Sequence, residues 1–67
     1  MKTKPNEKPL PIGRLIRRER RLRDWTQHDL AATAGVSRAA VAAIEGGVEW
    51  PHAVERLTRA LDIEVAA

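Results

Sequence analysis

The chain reads as an all-α domain of four to five short helices, preceded by an extended N-terminal arm and closed by a short C-terminal strand. Three observations predict this. Apolar residues recur at helical intervals from Ile12 to Leu61. The capping residues Thr26 and Ser37 and the stop signals Gly35 and Gly46-Gly47 cut that stretch into short segments. Finally, 67 residues make one domain and no more, with a core so small that pairing with a second copy is a common source of added stability.

Residues 1–11 form the arm. Pro5, Pro9 and Pro11 stand among lysines, and Leu10 is the only apolar residue after Met1. Prolines remove helix hydrogen bonds and bias their neighbours to extended geometry, so no helix is expected before Ile12. Residues 12–67 form the folded domain. Ile12, Leu15, Ile16 and Leu22 lie at helical spacings, with Arg14, Arg17, Arg18 and Arg21 mostly on the outward face. This helix should stop near Asp24, a residue type that tolerates the left-handed conformation.

Thr26-Gln27-His28-Asp29 reads as a capping box opening a second helix, whose inward residues are Leu30, Ala31 and Ala34. Gly35 suits a tight turn of positive φ. Ser37 caps a third helix from Arg38 to Glu45, buried on the side of Val41 and Ile44 and ended by Gly46-Gly47. Pro51 is placed to start a fourth helix with Val54, Leu57 and Leu61 inward. Asp62-Ile63-Glu64-Val65 alternates polar and apolar residues, as a short strand does.

The net charge of +3 hides an asymmetry. Residues 1–23 hold nine Lys/Arg against Glu7 and Glu19, a balance of +7, and residues 24–67 hold three Arg against seven acids, a balance of −4. A one-ended positive field suits a polyanion, although an Arg-rich helix face is more often plain solvated surface. Cys is absent, which excludes disulfides and thiolate metal sites. No apolar run approaches the roughly 20 residues of a membrane span. A cytoplasmic, nucleoid-associated protein is therefore expected.

The informative segment is Thr26 to Ile44: a helix of about two turns, a glycine turn, and a Ser-capped helix, with the small Ala31 where the two would cross. A helix-turn-helix needs this arrangement, because the turn holds the second helix proud of the surface for entry into a DNA major groove. The blander reading is an ordinary helical hairpin in a small bundle.

Arg20, Gln27, Leu30-Ala31, Gly35-Val36-Ser37, Val41, Ile44-Glu45 and Gly47, followed by Pro51 and Ala60-Leu61-Asp62-Ile63, resemble in type and spacing the Xre/Cro-like, lambda-repressor-like helix-turn-helix family across roughly residues 12–63. That resemblance implies a compact helical domain binding operator DNA as a dimer. It also implies roles. Gln27 would bond a phosphate and brace the recognition helix. Ser37, Arg38 and Ala39 would lie at that helix's exposed start, Ala42 and Ala43 further along the groove, and the backbone at Gly46 and Gly47 against a phosphate. Arg20 and Glu45 would form a buried ion pair. By charge, Arg17, Arg18, Lys4 and Lys8 are further DNA-binding candidates.

Departures from the family pattern qualify the expected readout. Ala39, Ala40, Ala42 and Ala43 leave Arg38 as the only long donor on the recognition helix, so readout should rest on one Arg, on alanine contacts with thymine methyls, on DNA shape and on phosphates. The stretch between Glu45 and Ala60 is about two residues short of the usual pattern, which shortens the fourth helix and argues against a separate fifth. Glu49 is an unfavourable charge beside a phosphate, and Leu22 stands where the family has a polar residue.

Trp25 and Trp50, the only aromatics, are expected to anchor the core, the alternative for Trp50 being contact with the DNA backbone. His28 and His52 have no converging ligands, so no metal and no cofactor is expected. Gly46-Gly47 lacks the Lys-Ser/Thr of a phosphate loop, and no nucleophile–base arrangement stands out, so no enzyme is expected. The leading expectation is a repressor that binds a palindromic operator as a homodimer. An antitoxin that also captures a toxin protein is the alternative, because the Ala-Leu-Asp-Ile-Glu-Val ending resembles the HigA/HipB group. A protein-interaction module of the same fold is more remote. Double-stranded DNA is the expected partner, with no membrane and no small-molecule substrate.

Overall fold

The computed structural model describes residues 11–63. Residues 1–10, with Lys4 and Lys8, and the end of the expected strand, Glu64 and Val65, lie outside the described residues. Four helices follow one another: α1 (Ile12–Leu22), α2 (Gln27–Ala34), α3 (Arg38–Glu45) and α4 (Pro51–Ala60). No strand occurs among the described residues.

Each boundary has a local cause. Helix α1 opens with Leu15 N–H donating to the Pro11 carbonyl at 3.0 Å, and its end is turned by Asp24 at φ +55. In α2 the capping box is complete: Thr26 Oγ1 accepts from Asp29 N–H at 3.0 Å, and Thr26 N–H donates to Asp29 Oδ2 at 2.9 Å. Gly35 ends it at φ +73, where the lack of a Cβ removes the steric cost. Ser37 Oγ accepts from Ala40 N–H at 3.0 Å and so starts α3. Pro51 takes the first position of α4, where its missing N–H costs nothing.

The core is Ile16, Leu30, Ala31, Val41, Ile44, Leu57 and Leu61, drawn from all four helices. Burying the Ile, Leu and Val side chains of this set stabilises by roughly 1.5–3 kcal/mol each, which is what makes these short helices persist. Trp25, Ala34, Val36 and Val54 pack around this centre half-buried.

Three expectations change. Leu22 is 68% exposed, because it lies six residues beyond Ile16 and that interval carries it off the buried face of a 3.6-residue helix. Trp50 is 49% exposed and stands outside the core, at the N-cap position that precedes the buried face of α4. At the C-terminal end, Asp62 adopts φ +54 in a turn and Ile63 folds back, its N–H donating to the Thr58 carbonyl at 2.9 Å and its side chain packing on the core. A strand from Asp62 onward would need both residues extended.

Candidate nucleic-acid interface

The α2–turn–α3 unit is held by backbone geometry at the turn and by a polar cluster at the far end of α3. At the turn, Ala31 O accepts from Gly35 N–H at 2.9 Å and from Val36 N–H at 3.1 Å, which closes α2 and redirects the chain. Leu30 and Ala31 on α2 and Val41 and Ile44 on α3 bury the faces between the two helices. What remains outside is the start of α3: Ser37, Arg38 and Ala39 are all exposed. Ala42 and Ala43 are half-buried further along, and Gly46 and Gly47 are exposed at its end. Methyl side chains along α3 leave its exposed side low, so a groove floor can approach the helix closely.

At the far end, Glu45 is clamped. Arg20 Nε donates to Glu45 Oε2 at 2.7 Å and Arg20 Nη2 to Glu45 Oε1 at 3.0 Å, a two-point pair whose side chains are only 12% and 5% exposed. The remaining guanidinium nitrogen, Nη1, donates to the Trp25 carbonyl at 2.7 Å. The hydrogen bonding to the Glu45 side chain, and then its negative charge, push the Arg20 pKa above its already high ordinary value, against the opposing effect of burial. Gln27 Nε2 also donates to Glu45 Oε1, at 3.3 Å. One carboxylate thus ties α1, the start of α2 and the end of α3 together. Above it lies a shallow hollow lined by Arg17, Arg20, Gln27, Ala42, Glu45 and Gly46, which brings an exposed cation, an amide and a glycine backbone to one spot.

Asp29, in the first turn of α2, is held below its ordinary carboxylate pKa of 3.8, chiefly by the Thr26 backbone N–H and then by the Thr26 hydroxyl. It is an exposed cap, and its negative charge suits the positive end of the helix dipole.

The sequence-derived candidates therefore divide into groups. Gln27, Arg17, Ala42 and Gly46 surround one hollow with the Arg20–Glu45 pair. Ser37, Arg38 and Ala39 form the free tip of α3, one helix length away, and Gly47 lies beside Gly46 at φ +113. Arg18 is exposed on α1 outside the hollow, and Lys4 and Lys8 lie outside the described residues. Two residues that position the site have no place among those candidates. Gly13 allows α1 to touch α3: a Cβ built on it would overlap the Ile44 carbonyl oxygen and crowd Glu45 Cα at 3.4 Å. A glycine inside an otherwise good helix is the kind of sequence signal that marks such a close approach. Arg23 joins α1 to the end of α4, its Nη2 donating to the Leu61 carbonyl at 2.8 Å and its Nη1 to Glu19 Oε1 at 3.0 Å. No spacing rule marks that contact, because it spans the chain.

A capped two-helix unit with one helix tip exposed and a braced, cation-bearing hollow at its far end defines a helix-turn-helix protein. The comparison with known families agrees. A family model described as a helix-turn-helix domain matches residues 11–67, and the chain belongs to that family, within the Xre/Cro-like class. Membership implies DNA as partner and regulation of transcription as the process. No curated protein and no solved structure matches the chain. Among the described residues, no helix is long and apolar enough to cross a membrane and no group of three or more His, Cys, Asp or Glu could hold a metal ion.

Proposed function

We propose that this protein is a sequence-specific transcriptional regulator, a repressor that sets the start of α3 into the major groove of a palindromic operator and works as a homodimer without enzymatic activity. The observation that carries the reading is the exposed Ser37-Arg38-Ala39 tip on a helix otherwise faced with alanine, braced at its other end by Arg20, Gln27 and Glu45. Arg38 is the base reader, donating to guanine O6 and N7, and the alanine methyls meet thymine methyls. Gln27, Arg17 and the Gly46-Gly47 backbone take phosphates and set the register. A monomer covers one half-site, and one Arg-led contact set discriminates too little against bulk DNA, which argues for twofold pairing.

Footprinting on DNA upstream of the protein's own gene tests this reading. A protected palindrome with half-sites one helical turn apart supports it. Uniform protection at every sequence, or none, refutes it. An antitoxin role, to which the chain ending bears a resemblance, predicts in addition that a protein encoded next to it co-purifies with the chain.

A further inference from the structure

Arginines divide sharply by what they touch. Arg20 of α1 and Arg23 at its C-terminal cap are spent on Glu45, Trp25, Glu19 and Leu61. On α4, Arg59 pairs with Glu55 at 2.8 Å, and Arg56 approaches the Gly35 carbonyl. The other five, Arg14, Arg17, Arg18, Arg21 and Arg38, are exposed and make no ion pair or side-chain hydrogen bond among the described residues. Four of these five fall on one helix. Spaced three, four and seven apart, Arg14, Arg17, Arg18 and Arg21 form a continuous stripe that lines a common shallow depression. Like charges at these spacings repel, so the stripe is stable only because it is open to water or to an anion.

The stripe has a direction. Arg17 borders both the depression on α1 and the hollow shared with Gln27, Ala42 and Gly46. Arg14 also flanks the Gly46-Gly47 loop. Two acids lie near this end: Glu45 is neutralised by Arg20, and Glu49 is an exposed loop residue with no cation bonded to it among the described residues.

We infer that the α1 stripe is a second DNA contact surface, on which Arg14, Arg18 and Arg21 carry the phosphate path outward from Arg17 along the backbone flanking the base-reading site. This rests on the DNA-binding reading and extends it: most of the affinity would come from α1 and be indifferent to sequence, and α3 would supply discrimination. Continuity with the hollow and the absence of partners for these four cations among the described residues favour a phosphate backbone over an isolated anion.

The test compares two double variants with the parent: R14A/R21A on the stripe and R56A/R59A on α4, each removing two charges. All are titrated onto a mixed-sequence linear duplex across a salt series. Alanine is the best helix former and neither stripe side chain packs on the core, so α1 keeps its fold, which circular dichroism checks. The expected result is a log–log salt slope shallower by about 0.9 per lost phosphate contact in R14A/R21A, with R56A/R59A unchanged. Duplex binding with the same slope in R14A/R21A as in the parent overturns this inference alone, as does an equal change in both doubles, which would reflect net charge only. A parent with no affinity for the duplex at any salt overturns the DNA-binding reading with it. Retention of that parent on anionic vesicles through the same arginines would place the stripe on a membrane instead.

Discussion

Arg20 and Glu45, twenty-five residues apart, close a two-point ion pair that is almost entirely withdrawn from water. Through it, α1 holds the end of α3 and, by way of Gln27, the start of α2. The pair is a fastening within the DNA-reading unit, and its loss should be felt in both folding and binding.

Removing either partner strands the other in a poorly hydrated place. Arg20→Ala and Glu45→Ala should each lower stability by roughly 3–5 kcal/mol in urea denaturation. Arg20→Ala should be the worse, because Glu45 then keeps only Gln27, whereas an unpaired Arg20 keeps the Trp25 carbonyl. The double variant should cost less than the sum. Either single variant unfolding with the parent would rule out the fastening.

At Gly13 two effects oppose each other. Alanine there gains up to about 1 kcal/mol of helix propensity over glycine. Its Cβ, however, meets the Ile44 carbonyl, which is backbone and cannot rotate away. Overpacking of this kind typically costs about 1–3 kcal/mol, so Gly13→Ala should lower the melting temperature. A higher melting temperature would mean that α1 and α3 are not in close approach.

Asp29 makes a pH prediction with a defined sign. Its pKa is lower in the folded chain than its ordinary 3.8, so the capping contribution is fully present above that value and is lost as pH falls through the folded one. Asp29→Asn should therefore flatten the acid limb of the stability–pH curve while leaving its shape near neutrality unchanged. Parallel acid limbs for parent and variant would show that the carboxylate is not the titrating cap.

Arg38→Ala should cost about 1–3 kcal/mol on the preferred site and relax the preference at one base pair. A selection from randomised duplexes measures this. A variant that still discriminates fully at every position would displace Arg38 from the base-reading role.

Ile63 bears on how two copies pair. Its side chain lies on the core of its own chain, so a strand exchanged between copies cannot begin there. A chain ending at Leu61 should accordingly lose stability while keeping any dimer that α4 or its flanking loop supports. Dissociation on truncation, at full retention of fold, would assign pairing to the tail instead.

Much of this was legible in the residues. Thr26, Gly35, Ser37 and Pro51 act through their own covalent geometry or through a partner within one turn, so helix boundaries followed from the chain read in order. The buried identities Ile16, Leu30, Val41, Ile44 and Leu57 followed from the 3.6-residue period, which also governs why Leu22 does not join them. Pairing of Arg20 with Glu45 was suggested by resemblance to a family, since nothing local couples positions so far apart. What the tertiary structure alone decided are the relations between helices: the Gly13–Ile44 approach, the bond from Arg23 to the end of α4, and the outward placement of Trp50. It also decided which arginines are bonded and which stand exposed without a partner among the described residues, a distinction invisible in composition because every arginine carries the same charge. Local propensity acts within a turn of the chain, whereas burial and partnership depend on what the other helices bring within reach.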